Sequence, residues 1–240
     1  MKKENKLTIL FPCLNEEKTL SASINDAKEN MKKLKMNNEY EILVVDNGST
    51  DNSVKVAKTL GARVVNEKNK GYGNALRKGI NKASGKYIIF ADCDNSYRFE
   101  SINDFISLLE DGADFVIGNR FKGKMEKNAM PFSHKYIGTP IISLIGKILY
   151  NIKVSDFNCG LRAIKKDSFN KIDFQCGGME FASEMLIKAK KNNLSIKEVP
   201  INFYKDNRDR KPHLRTINDG IRHLKVLIGE LKKWKRNGSL

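Results

Sequence analysis

No stretch of this chain approaches the roughly 20 consecutive apolar residues that a membrane-spanning helix needs, so no crossing of a bilayer is expected. The lysine-bearing start, MKKENKLTILFPCLNEE, has too short an apolar run for a secretory leader. The four cysteines, Cys13, Cys93, Cys159 and Cys176, form no C-x-x-C pair, which removes a zinc site or a redox motif and fits a reduced, cytosolic chain. The three histidines, His134, His213 and His223, lack metal-ligand spacing. Acidic residues are also scarce: 28 Asp and Glu stand against 44 Lys and Arg, leaving a net charge of +16. That excess favours anionic partners, whether nucleic acid, a phosphorylated substrate or an anionic membrane, and by itself does not choose among them. Nor is there a repeat or a low-complexity linker, and 240 residues suffice for one α/β domain with a proper core.

What is present is an alternation. Apolar runs of strand length recur at LTILFP (7–12), EILVVD (41–46), ARVVN (62–66), YIIFAD (87–92) and DFVIGN (114–119). Between the first two, Leu20, Ile24, Ala27, Met31 and Leu34 keep the spacing of one helical stripe, and Leu76, Ile80 and Ala83 repeat it before the fourth. Unbroken apolar strands alternating with helices predict a mostly parallel sheet covered on both faces. After about residue 120 the alternation weakens into a polar segment (121–140), a helix (141–150), a short strand LRAIKK, a helix (179–192) and IKEVPINFY.

Ligands of such sheets bind beyond the carboxyl ends of the strands, and the polar clusters PCLNEE, DNGSTD and DCDNSY fall there. In the last, Asp92 and Asp94 stand two apart. On a strand they would share a face and repel, so a positive group is expected beside them. In DNGSTD, Asn-Gly is a strong turn former and Ser49, Thr50 or Asp51 can cap the next helix, a structural role compatible with presenting Asp46 to a ligand.

The segments FPCLNEEKTL, VVDNGSTDNS, NKGYGNALRKGINKASGKYIIFADCD, GNRF, SDFNCGLRA, MEFASEMLIKA and EVPINF, in this order, resemble family-two glycosyltransferases of the GT-A fold. Within these they are most similar to the dolichol-phosphate mannose or glucose synthase-like branch, which moves a sugar from a nucleotide diphosphate onto a polyprenyl phosphate. The resemblance covers roughly residues 5–215 and implies one GT-A domain over 1–215, with a nucleotide-binding half (1–120) and an acceptor half (121–215), followed by a basic amphipathic helix (216–240).

By that resemblance Asp92 and Asp94 form the D-x-D pair that holds Mg2+ or Mn2+ against the diphosphate, with Asp94 the stronger ligand and Asp92 facing ribose or metal. Ser96 stands where relatives often carry Gln, and a hydroxyl is a weaker ligand. Oxygen donors suit both ions. Pro12, Leu14, Asn15, Glu16, Asp46 and Asn47 are implied to line base and ribose, with Asn47 standing where many relatives have Asp. Gly71 and Gly73 resemble the tight entry to the next helix. Arg120 and Lys135 match basic positions for phosphate groups. The loop YKDNRDRKPHLR (204–215), with Arg208, Arg210, Lys211, His213 and Arg215, replaces one that closes over donor and acceptor in relatives.

The implied reaction inverts the anomeric carbon by a single displacement, with metal and Arg120 or Lys135 stabilising the leaving group. A phosphate acceptor is already largely ionised near neutrality and barely needs a base; a hydroxyl acceptor would need one, and Asp156 is the candidate. Glu180 and Glu184 share a helix face, and Glu184 matches a family acid whose role could be structural.

At the C-terminus Ile217, Ile221, Leu224, Leu227, Ile228, Leu231 and Trp234 form one stripe, with Arg222, Lys225, Lys232, Lys233, Lys235 and Arg236 on the other faces, the pattern of an interfacial helix or, for its first two turns above all, of a stripe that packs on the domain or on a partner subunit. The expected partners are a sugar nucleotide (UDP-hexose favoured), a polyprenyl phosphate, an anionic membrane surface on the cytoplasmic side, and a membrane protein or a second copy. A soluble hydroxyl acceptor is the alternative. A basic nucleic-acid-binding module would explain the charge and leave the acidic strand ends unexplained, so nucleic acid is not expected.

Overall fold

A computed structural model describes residues 5–36, 38–208 and 216–236. Seven strands, β1 (Leu7–Cys13), β2 (Tyr40–Asp46), β3 (Arg63–Asn66), β4 (Tyr87–Phe90), β5 (Phe115–Asn119), β6 (Arg162–Lys165) and β7 (Ile196–Pro200), form one sheet in the order β3-β2-β1-β4-β6-β5-β7. The apolar runs of β1, β2, β4 and β5 are buried, as in Leu7, Ile9, Leu10 and Phe11 of β1 and Ile88, Ile89 and Phe90 of β4, while the edge strand β3 is half-exposed. β1 lies between β2 and β4, parallel to both, so the chain winds outward in opposite directions from it. The crevice at this switch point is where such sheets bind ligands.

Helices α1 (Leu20–Lys33), α2 (Ser53–Thr59), α3 (Tyr72–Lys82), α4 (Ile102–Glu110), α5 (Thr139–Tyr150), α6 (Lys166–Asn170), α7 (Phe181–Lys191) and α8 (Thr216–Arg236) flank the sheet. The expected stripe of α1 is inward, with Leu20, Ile24, Ala27 and Met31 fully buried. α3 starts at Gly71, whose φ of +136° favours glycine. A Cβ on Gly71 would stand 2.3 Å from the Gly177 carbonyl oxygen, and one on Gly73 2.5 Å from that of Cys176, so both glycines let α3 press on the loop before α7.

Two features that the sequence reading left open matter. β6 runs antiparallel to both β4 and β5, making the sheet mixed. It is pinned by Arg162, a fully buried side chain that the sequence reading did not single out. Its guanidinium donates at 2.7 Å to the carbonyls of Phe157, Cys159 and Ala182. Three carbonyl dipoles thus meet this buried cation.

The second is α8. Its apolar stripe does not face outward as a whole: Leu227 is fully buried, Trp234 stacks on Tyr150 of α5 with centroids 5.6 Å apart, and the Tyr150 hydroxyl donates to the Leu227 carbonyl. Lys191 of α7 pairs with Glu230 at 2.8 Å, and His223 bonds Ser183 at 2.8 Å. Among the described side chains of the stripe, only Ile221 and Ile228 are exposed. The C-terminal helix therefore packs on α5 and α7; the side chains of Ile217, Lys233, Lys235 and Arg236 lie outside the described residues.

Candidate active site

The carboxyl ends of β1, β2 and β4 meet at the switch point. After β1, Asn15 turns left-handed with φ +56° and its side-chain oxygen accepts the Thr50 amide at 2.8 Å. The Glu16 amide donates to Ser53 at 2.8 Å, and the buried Glu16 carboxylate accepts the Thr19 hydroxyl at 2.9 Å. Pro12 and Leu14 are half-buried on the same segment. After β2, Asp46 accepts the Ser49 amide at 3.0 Å and so shapes the DNGSTD turn.

Asn47 is otherwise than expected. Its amide donates to the Glu67 and Asn69 carbonyls at 3.0 and 2.9 Å, and its oxygen accepts the Gly71 amide at 2.7 Å. With both donors and its acceptor committed to the chain, Asn47 staples two loops and is not offered to a base. Gly71 likewise has the packing reason given above.

β4 stops at Phe90, so Asp92 and Asp94 follow it on a turn and not on a strand face. They find different surroundings. Asp92 meets the Tyr72 hydroxyl at the start of α3 and lies against Gly160, where a Cβ would come within 2.7 Å of its Oδ2. Burial first, and then the charge of Asp94, raises the Asp92 carboxyl to about 7, against the pull of Arg208, Tyr72 and Arg120. Asp94 is buried; its Oδ1 accepts the Ser96 amide and hydroxyl at 2.9 and 2.5 Å. Ser96 thus holds Asp94 in place.

The positive group beside the two aspartates is Arg208. Its Nη2 lies 2.7 Å from Asp94 Oδ2 and 3.0 Å from Asp206, and its Nη1 lies 3.7 Å from Glu16. The segment carrying it is laid on the Asp94 turn by the Tyr204 amide bonding the Ser96 carbonyl at 3.0 Å and the Asn207 amide bonding the Asp94 carbonyl at 3.2 Å. Arg210, Lys211, His213 and Arg215 lie outside the described residues. Carboxylates of Glu16, Asp94 and Asp206 therefore converge on one guanidinium, and their oxygens are of the hard kind that divalent ions take. Among the described residues no cluster of three or more His, Cys, Asp or Glu is arranged to hold a metal unaided.

A second pair closes the other wall. Arg120, at the end of β5, forks onto Asp156 with Nε–Oδ2 and Nη2–Oδ1 both 2.7 Å, and its backbone amide adds 3.2 Å to Oδ2. Asp156 is fully buried, and its charge offsets the desolvation of the guanidinium, whose pKa stays well above the ordinary value. With both oxygens taken, Asp156 orients Arg120 and is poorly placed to act as the base that a hydroxyl acceptor would need. Phe203 lies under the guanidinium, 5.1 Å from it.

Glu198 of β7, not anticipated, accepts the Ser155 and Asp156 amides at 2.5 and 3.3 Å and so sets the loop. Lys135 lies over the Tyr136 ring at 5.3 Å, in a π-helical turn (His134–Gly138) before α5. Glu184 is buried, accepting the Gln175 and Cys176 amides at 2.9 Å each, a structural part; Glu180 accepts the Gly178 amide at 3.2 Å.

A mixed, mostly parallel sheet with acidic strand ends at its switch point defines a GT-A-like nucleotide-sugar transferase fold. The profile of "Glycosyl transferase family 2" matches residues 8–173, and the chain belongs to that family. It is 32% identical over 223 residues to a low-salt glycan biosynthesis hexosyltransferase of Haloferax volcanii, covering 92% of this chain and 53% of that protein. The chain thus spans about half the length of that relative. It is 30% identical over 217 residues to the UDP-N-acetylglucosamine–dolichyl-phosphate N-acetylglucosaminyltransferase of Methanococcus voltae, covering 80% of this chain and 83% of that one. A crystal structure of glucosyl-3-phosphoglycerate synthase from Mycobacterium tuberculosis, with Mn2+, UDP and phosphoglyceric acid, superposes with a TM-score of 0.72 at 18% identity, over 95% of this chain and 78% of that one, a likeness of fold.

Proposed function

We propose that this glycosyltransferase moves a hexose from a nucleotide-diphosphate sugar, UDP-linked in preference, onto a polyprenyl phosphate at the cytoplasmic face of a membrane, inverting the anomeric centre in a single displacement. Relatives named as dolichyl-phosphate transferases support the acceptor class. The observation that carries it is the commitment of Asp156 to Arg120 through both carboxylate oxygens. A hydroxyl acceptor requires a base, and this acid is taken, whereas an ionised phosphate attacks without one.

Asp94 would hold Mg2+ or Mn2+, with Glu16 and Asp206 near it and the remaining ligands drawn from diphosphate and water. The ion would neutralise charge developing on the leaving diphosphate. Arg120 supplies a fixed positive charge on the opposite wall, and Asp156 keeps it oriented. Arg208, displaced from Asp94, has a guanidinium suited to forking onto phosphate.

The test is a donor screen with UDP- and GDP-sugars, with and without Mn2+, following hydrolysis and transfer to a short-chain polyprenyl phosphate and to hydroxyl acceptors. Metal-dependent transfer to the phosphate supports the reading. Transfer to hydroxyl acceptors alone would overturn it.

A further inference from the structure

Of the nine exposed large apolar side chains among the described residues, six lie between positions 132 and 148: Phe132, Tyr136, Ile137, Ile141, Leu144 and Ile148. The last four follow the helical stripe spacing on the π-turn and α5, while Ile142, Ser143, Gly146 and Tyr150 turn inward, Gly146 against the Phe157 ring. The outer stripe is strongly exposed, Phe132 and Ile148 each at 72%. Single exposed apolar residues need no explanation, but a contiguous stripe with no cover does.

Charge says what would cover it. From Lys127 to Ser155 the chain has four lysines, Lys127, Lys135, Lys147 and Lys153, and no Asp or Glu. Lys147 and Lys153 share a cleft of about 370 Å3 with the Lys122–Glu198 pair at the far end of α5. A second copy seated through a two-fold axis would set this face against itself, lysine against lysine. An anionic bilayer instead receives apolar side chains below the headgroups, aromatic rings at their level and ammonium groups among the phosphates. The paired rings of Phe132 and Tyr136, with centroids 4.7 Å apart, and Lys135 beside them have that composition. The stripe also lies beside the site: Ser143 on the inner face of α5 accepts the Phe157 amide at 3.1 Å, next in the chain to the Asp156 that forks Arg120, and burial, then the Arg120 charge, hold the His134 imidazole below its ordinary value.

We propose that this acid-free stripe is the face on which the protein lies on an anionic bilayer, its Arg120 end at headgroup level, so that a polyprenyl phosphate meets the site without leaving the membrane. This rests on the acceptor proposed above. The interfacial contact is thereby assigned chiefly to α5 and its preceding turn, with α8 as the packed support behind Tyr150.

The test uses the full chain, with vesicles of phosphatidylcholine alone or mixed with phosphatidylglycerol. A Leu144→Glu/Ile148→Glu variant alters only exposed positions, and its melting is checked first. The parent is expected to sediment with the anionic vesicles and to be released by salt. The variant should lose more than about tenfold in partitioning, while its transfer to a water-soluble short-chain polyprenyl phosphate stays within about twofold of the parent. Equal partitioning of the two proteins would overturn the proposal. So would a parent that ignores vesicles and dimerises through the same residues. A parent that binds vesicles but transfers to no polyprenyl phosphate would overturn the acceptor reading and leave the docking face standing.

Discussion

Two arginine–aspartate pairs face each other across the site, and they are built differently. Arg120 and Asp156 meet through two parallel 2.7 Å contacts plus a backbone amide, with Glu198 holding the loop beneath. Arg208 meets Asp94 through one nitrogen at 2.7 Å, shares itself with Asp206 and Glu16, and leaves its buried Nε without a hydrogen-bond partner among the described residues. A bidentate pair with satisfied donors is rigid; a one-pronged pair with an orphan donor is replaceable. The first belongs to the frame of the enzyme, and the second is the contact that a metal-bound donor can exchange.

The contrast is most severely tested at Asp156. Replacing it by Ala leaves Arg120 buried without its counter-charge, and breaking a buried pair in this way costs about 3–5 kcal/mol. Denaturant unfolding should register that loss together with loss of transfer; a loss under about 1 kcal/mol would mean the pair is not part of the frame.

Acid loosens the frame without touching either arginine. Burial, and then the Arg162 charge, lowers the His223 imidazole to about 4 from its ordinary 6.5. The unfolded chain therefore binds the proton first, so the stability of keeping His223 neutral is present above about 6.5 and is lost as pH falls towards 4. It is worth roughly 3 kcal/mol over that window. Thermal melts across it should show a steeper acid decline for the parent than for His223→Gln, and parallel curves would refute the buried neutral imidazole.

At the replaceable pair the cost should fall on activity. Asp94→Ala is expected to lower transfer by at least about 100-fold, or roughly 2.7 kcal/mol. Its melting temperature should change little, because the substitution also relieves repulsion with Asp92. Activity within a few-fold of the parent at saturating Mn2+ would remove Asp94 from metal binding.

The smallest effect belongs to Arg208→Ala. Taking the guanidinium off Asp94 should tighten Mn2+ binding in the absence of nucleotide by several-fold, on the order of 1 kcal/mol. Calorimetric titration reads this directly. Unchanged or weaker Mn2+ affinity would show that Arg208 does not occupy the cation's place.

Much of this site was legible in the chain. Asp94 and Arg120 stand at the ends of unbroken apolar runs, and such runs are visible because strands covered on both faces need no polar alternation. Asp46 and the following Gly48 carried their turn in their own chemistry. The residues misjudged were those whose partners are distant in the sequence. Asn47 reads as a polar strand-end residue until the Glu67, Asn69 and Gly71 backbone is brought to it. Asp156 reads as an available acid until Arg120 is placed 2.7 Å away. Glu198 and Arg162 carried no local sign at all, since their hydrogen bonds go to loops that the fold delivers.

The sequence by itself determined the alternating strands and helices, the acidic strand ends and the positive charge, because periodicity, turn chemistry and composition act over a few residues. Only the tertiary structure decided that β6 runs antiparallel, that α8 turns Leu227 and Trp234 inward, that Asp92 and Asp94 part company, and that an arginine rests on Asp94. Those outcomes depend on which buried charges and apolar faces meet across the sheet. Such pairings are chosen by desolvation and geometry between segments far apart in the chain, where no local pattern reaches.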